Sequence, residues 1–235
     1  LVVVSGFWNS YSHATPEVWA LDLTNVDDGW RQMESMPIAE GVTHAGFVVV
    51  GSKMYLCGGY LGGHPGPHIP DCLVYDHSKT KNQWESIADL PIGRAGGGLV
   101  YMSTHNALLY SGGAERPDTT SADAFDYTDT WMYYLSDPST GWIRKQDIPF
   151  LSNHMSYATG RDEDEWDAWG ETWIEREPQP FTRGHASSST RPMSCGFLIA
   201  GGSSNEFGKV MDISFYDIPS DSWTKIGDLP VAINT

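Results

Sequence analysis

The chain has 235 residues, 40% of them hydrophobic and 19% charged, with 14 Lys and Arg against 30 Asp and Glu, a formal net charge of −16 and an isoelectric point near 4.6. Apolar content is ample for a core, but no run approaches the ~18 to 20 uninterrupted apolar residues of a helical membrane span, so no membrane insertion is expected. The acidic balance argues against nucleic acid, whose phosphates need a basic surface, and against an anionic membrane face; it is compatible with cationic partners, divalent ions or plain solubility.

Five times a Trp is followed seven residues later by a Pro: Trp30 to Pro37, Trp84 to Pro91, Trp142 to Pro149, Trp173 to Pro180 and Trp223 to Pro230. A repeating unit cannot bury its apolar face alone, so this regularity dictates the architecture. Three copies also carry Gly-Gly at the end of an apolar run, at Gly58-Gly59, Gly112-Gly113 and Gly201-Gly202. Between glycines and Trp stands an aromatic segment with a nearby acid or its equivalent, Tyr75-Asp76, Trp131 to Leu135, Trp166-Asp167 and Tyr216-Asp217, with Trp19 to Asp22 in the first copy. Gly and Pro punctuate the chain too often for long helices, and the apolar runs are short and rich in Val, Tyr and Trp, which predicts strands.

Together these features resemble the kelch repeat, which builds one four-stranded blade of a β-propeller per roughly 50 residues. The resemblance implies an all-β, kelch-type β-propeller of four-stranded antiparallel blades, strand a innermost and strand d outermost. In chain order, residues 1–37 supply strands b to d of one blade, with Ser5-Gly6 in the place of Gly-Gly. Residues 38–91 and 92–149 are complete blades, 150–180 a truncated copy, 181–230 another complete blade, and 231–235 the start of the next innermost strand. The opening without Met in mid-blade, the stop after Pro230 and the short copy read as a single partial propeller, cut from a longer chain with an omission after Gly160. The five signatures then belong to a ring of six blades, with seven as the alternative.

Of the three cysteines, Cys57 and Cys195 sit in apolar strand contexts and read as buried free thiols. A Cys57–Cys72 bridge between adjacent strands is the alternative and would imply an oxidising compartment. The compartment is left open, with a secreted or extracellular setting favoured.

Because strands alternate direction, each d to a crossing lies on the same face as the b to c loops. The fifth position after a blade-closing Pro is His154 and His185, with His44 equivalent after a two-residue insertion; Arg94 and Arg183 share the third position. These residues begin innermost strands, which places the three imidazoles near the axis. Converging imidazoles suit a sugar, an anion or a transition metal; alternatively, each His satisfies backbone groups at a blade crossing. The same face receives two long Pro/Gly-punctuated loops, Tyr60 to Asp71 with His64 and His68, and Glu115 to Tyr127 with Asp126, the kind of connection on which rigid scaffolds place binding. His64 and His68 have the spacing of a helical metal pair, but Pro65 and Pro67 remove the helix. The run Asp162 to Glu165 reads as an exposed acidic loop, with calcium as the sharper alternative. Glu163, Asp167 and Glu171 resemble the iron motif of plant kelch-type specifier proteins, with Glu171 where that motif ends in His. No cofactor is expected; a transition metal or calcium is the alternative.

The resemblance extends to two propeller enzyme families that act on sugars. The radical-copper oxidases need a Tyr-His dipeptide, which the chain lacks. A sialic-acid mutarotase-like site would use Arg94 or Arg183 to hold a carboxylate and a His or Glu as acid or base, but no local motif fixes these roles. The reading is therefore a non-enzymatic recognition module that binds a carbohydrate or protein partner through the loop face. Its candidate ligand-binding residues are His44, His64, His68, Arg94, Glu115, Asp126, His154, Arg183 and His185. Carbohydrate is favoured because Trp8, Tyr11, Tyr60 and Phe207 stand on that face among polar groups; a sugar-acting propeller enzyme is the alternative.

Overall fold

Each apolar run that ends in glycines pairs on one side with the strand before it and on the other with the aromatic strand after it. The computed structural model describes residues 1–8, 10–115, 125–149, 151, 176–180, 190–193, 195–202 and 210–231, among which the helical structure is two short 3-10 turns at Val26–Asp28 and Pro138–Thr140. The second blade is an antiparallel meander of Gly46–Val50, Lys53–Cys57, Cys72–Asp76 and Trp84–Ile87, and the third repeats it with Gly98–Met102, Ala107–Ser111, Thr130–Tyr134 and Trp142–Lys145. A further four-stranded sheet comprises Thr190–Met193, Gly196–Ala200, Asp212–Asp217 and Ser222–Asp228; at the start of the chain Val2–Val4, Val18–Leu21 and Trp30–Gln32 form a three-stranded one. The truncated copy with Trp173, and the expected omission after Gly160, lie outside the described residues.

The middle strands are apolar on both faces because they are buried on both. Tyr55, Cys57, Cys72 and Val74 of the second blade pack with Leu99, Leu108, Tyr110 and Tyr133 of the third. The innermost strands approach closely where Gly46 meets Leu99: a Cβ on Gly46 would stand 2.8 Å from that of Leu99.

The repeated Trp joins one blade to the next. Its ring packs on the third-strand aromatic at 5.0 Å in Tyr75–Trp84, 5.3 Å in Tyr133–Trp142 and 5.0 Å in Tyr216–Trp223. Its indole N–H then donates to a preceding carbonyl: Trp84 to Glu34 at 3.0 Å, Trp142 to Ala88 at 2.8 Å and Trp223 to Glu177 at 2.9 Å. Each acceptor lies four residues beyond the preceding Trp in sequence, so the ring buries its apolar body while the N–H is satisfied by the neighbouring repeat.

The paired glycines form one turn, repeated. φ values run +53° and +110° at Ser5-Gly6, +68° and +109° at Gly58-Gly59, +64° and +94° at Gly112-Gly113, and +68° and +99° at Gly201-Gly202. In each, the first N–H donates to the carbonyl of an acid at the head of the third strand: Glu17 (3.0 Å), Asp71 (2.9 Å), Asp129 (3.2 Å) and Asp212 (3.0 Å). Ser5 thus occupies a conformation that side chains rarely adopt. Its hydroxyl accepts from Val42 N at 2.7 Å and lies 2.7 Å from the Thr15 carbonyl, tying the first blade to the second. At Gly59 a Cβ would stand 2.4 Å from Val42 Cγ1 and 2.6 Å from the Thr43 carbonyl oxygen. Gly59→Ala is therefore expected to cost at least about 2 kcal/mol in a urea titration. Gly51→Ala, also at positive φ but in open space, should cost about 1 kcal/mol.

The cysteine reading needs correction. Cys57 and Cys72 stand directly opposite each other in register and are joined by a disulfide, with Cα atoms 4.2 Å apart, rather than being free thiols. Apolar sequence context correctly signals the burial of Cys57, which like Cys72 is 0% exposed, but overstates that of Cys195, which is half-buried. It carries no information about register, and register brings the sulfurs together. Cys195 is the free cysteine.

Candidate recognition surface

Beyond the glycine turns each of the first three blades carries a short two-stranded ladder, and main-chain bonds beside these ladders lace the second blade to the third. Val42–Thr43 pairs with Tyr60–Leu61, Ala114–Glu115 with Phe125–Asp126, and Phe7–Trp8 with Ser10–Ala14. Gly59 N donates to the Arg94 carbonyl and Gly96 N to that of His44, each at 2.8 Å, while Ala95 bridges Ala114. The crossings and the b to c loops thus share one end of the blades.

Four rings from three segments meet there. His44, whose backbone takes φ +57°, has its ring centroid 4.9 Å from His64, 5.4 Å from Tyr60 and 5.8 Å from Phe7; Tyr60 and His64 lie 5.2 Å apart. Tyr60 is 2% exposed and forms the floor, Phe7 is 40% exposed and forms the rim, and His44 and His64 are half-buried between them. Such a cluster offers ring faces and edges for stacking beside imidazole donors and acceptors. The sequence reading named Trp8 and missed Phe7. A signal was present: Phe7 directly follows Ser5-Gly6, as Tyr60 follows Gly58-Gly59.

A second network runs from this face into the core. His68 Nε2 stands 3.4 Å from Glu115 Oε1, and the Tyr127 hydroxyl donates to Glu115 Oε2. Burial, and then the Glu115 carboxylate, push the Tyr127 phenol up to about 12. The Arg94 guanidinium lies 4.4 Å from the centre of the Tyr127 ring and grips Asp129 with two hydrogen bonds of 2.5 and 2.9 Å; a third, of 3.1 Å, goes to the Gly112 carbonyl. Trp131 Nε1 also donates to Asp129. Burial pushes the Asp129 carboxyl up, but the Arg94 and Trp131 hydrogen bonds with the Arg94 charge outweigh it and hold the group below the usual carboxylate range.

Arg94 therefore departs from the expectation that it faces a ligand. It is 0% exposed, and its guanidinium is spent on Asp129 and a backbone carbonyl. Asp129 was not singled out, although an acid stands four residues before the third-strand Leu21, Tyr75, Tyr133 and Tyr216 in every described blade. Of the other expected residues, His44 and His64 come together, His68 meets Glu115, and Asp126 pairs through its backbone with Ala114 in the same hairpin as Glu115. His154, Arg183, His185 and Phe207 lie outside the described residues. Among the described residues, no three His, Cys, Asp or Glu side chains converge as a metal-ligand set.

Residues 42–91 match the family model described as Kelch motif. A stretch of 100 residues, 43% of this chain, is 28% identical to the Kelch repeat and BTB domain-containing protein 1 of cowpox virus (strain Brighton Red), and it spans 17% of that protein. Among solved structures, that of YjhT superposes with a TM-score of 0.53 at 16% identity, covering 91% of this chain and 53% of that one. At that identity the likeness is one of fold, and the chain spans well under two thirds of the length of either relative.

Proposed function

From the premise that the chain is a kelch-repeat β-propeller, a family that generally mediates protein interactions, we propose that it is a non-enzymatic recognition module. It binds a protein or carbohydrate partner through the face built by the crossings and the b to c loops. The observation that carries this reading is the cluster of Phe7, His44, Tyr60 and His64, which draws on three loop segments of two blades. Holding a phenyl edge and two imidazoles together on a hydrogen-bonded base exceeds what blade closure requires. Fold alone does not choose a ligand. The ligand choice rests on aromatic faces beside hydrogen-bonding groups, the chemistry that both sugars and the centres of protein interfaces use.

His68 and Glu115 extend the surface toward the third blade, and Asp126 flanks it. Arg94 serves it from below, holding the Tyr127 ring under Glu115. Phe7→Ala combined with His64→Ala should weaken binding at least about tenfold, the scale of a lost hot spot. The thermal transition should barely move, because neither side chain is in the core. A glycan array and a pull-down with the intact chain read the two ligand classes in parallel. Unchanged binding by the double variant in both would refute the surface chosen here.

A further inference from the structure

At the opposite end of the blades, a cleft of about 720 Å³ opens between the outermost strand of the first blade and the turn joining the third and fourth strands of the second. That turn sits beside the Gly51-Ser52 hairpin, with His77 N donating to the Ser52 carbonyl at 2.9 Å, so it lies away from the glycine turns and the loop surface. The lining inverts the charge of the chain. Arg31, Lys79 and Lys81 face the cleft with a single carboxylate, Glu34, in a protein with 30 acids and 14 Lys and Arg. Glu34 is itself engaged, its Oε2 accepting from Gln83 N at 2.9 Å and its carbonyl from Trp84. Lys79 pairs with Glu85. Arg31 and Lys81 are exposed and have no ion-pair partner among the described residues.

The strand in the cleft wall, Trp30–Gln32, pairs among the described residues with Val18–Leu21 alone, which leaves its outer edge without a strand partner among them. An open strand edge carries a row of main-chain donors and acceptors. An extended peptide satisfies such a row by adding a strand, whereas a polysaccharide has no matching backbone. We propose that this cleft binds an extended acidic peptide segment of a protein partner, its backbone along the free edge of Trp30–Gln32 and its carboxylates toward Arg31 and Lys81. The proposal stands apart from the loop surface and does not depend on it.

The test is fluorescence anisotropy at low ionic strength with a labelled peptide of alternating Glu and Val, its Gln counterpart, and a sulfated oligosaccharide. The net charge of −16 repels the Glu peptide in bulk, so binding must come from a local patch. The intact protein is expected to bind the Glu peptide but not the Gln peptide. Arg31→Glu combined with Lys81→Glu should weaken that binding at least about tenfold with an unchanged melting transition, since both side chains are exposed. Absence of binding to the Glu peptide, equal binding by the double variant, or charge-dependent capture of the sulfated oligosaccharide in preference to the peptide would each overturn the proposal.

Discussion

Arg94→Ala is expected to lower the unfolding free energy by about 3 to 5 kcal/mol, because it strands the Asp129 carboxylate in the interior without its cation. Three links make the effect large: the arginine is fully buried, its two hydrogen bonds to Asp129 fix the head of the third strand, and its ring contact supports Tyr127. Arg94→Lys should recover only part of the loss, since an ammonium cannot reproduce the planar fork. The double variant Arg94→Ala/Asp129→Ala should be less destabilised than the sum of the singles, because it leaves no orphan charge. The pH dependence has a definite sign. Asp129 is held below the ordinary carboxylate range, so its contribution is fully present above about pH 4 and is lost as pH falls through the folded-state value. Urea titrations at neutral pH and in acid should show the Arg94→Ala deficit shrinking in acid. A deficit that is small at neutral pH, or independent of pH, would contradict this role.

Removing the Cys57–Cys72 bridge by Cys57→Ala/Cys72→Ala is expected to cost about 3 kcal/mol, the chain-entropy value for its loop of 15 residues. The bridge closes the segment that carries Tyr60, His64 and His68, so it also anchors the base of the recognition loop. Thiol titration of the denatured, unreduced protein should find Cys195 alone, and all three cysteines after reduction. Three reactive thiols without reductant would show the bridge absent. Such a disulfide suits an oxidising compartment.

Much of the architecture was legible because repetition is a long-range signal written locally. The Trp-to-Pro interval and the glycine pairs mark the outermost strand and the turn after the second strand in each described blade, and even Ser5-Gly6 could be aligned with Gly-Gly before any φ value was known. Relations between strands were legible only in part. The Cys57–Cys72 bridge stood only as an alternative, because pairing register decides it, and Arg94 reaches Asp129 across 35 positions through a side-chain contact that no local pattern encodes. The loop face was legible as a place, since strand alternation fixes which connections share an end. Which side chains point out of it was not: Arg94 turned inward to a buried carboxylate, while Phe7 turned toward His44.

Hydrogen-exchange mass spectrometry of the chain with and without the partner captured by the glycan array or pull-down tests the central claim most directly. Recognition through the loop face predicts that added protection falls on the segments holding Phe7, His44 and Tyr60 through His68, with the Gly51-Ser52 hairpin at the opposite end unchanged. Protection confined to that opposite end, with the aromatic and imidazole cluster exchanging as in the free protein, would contradict the account.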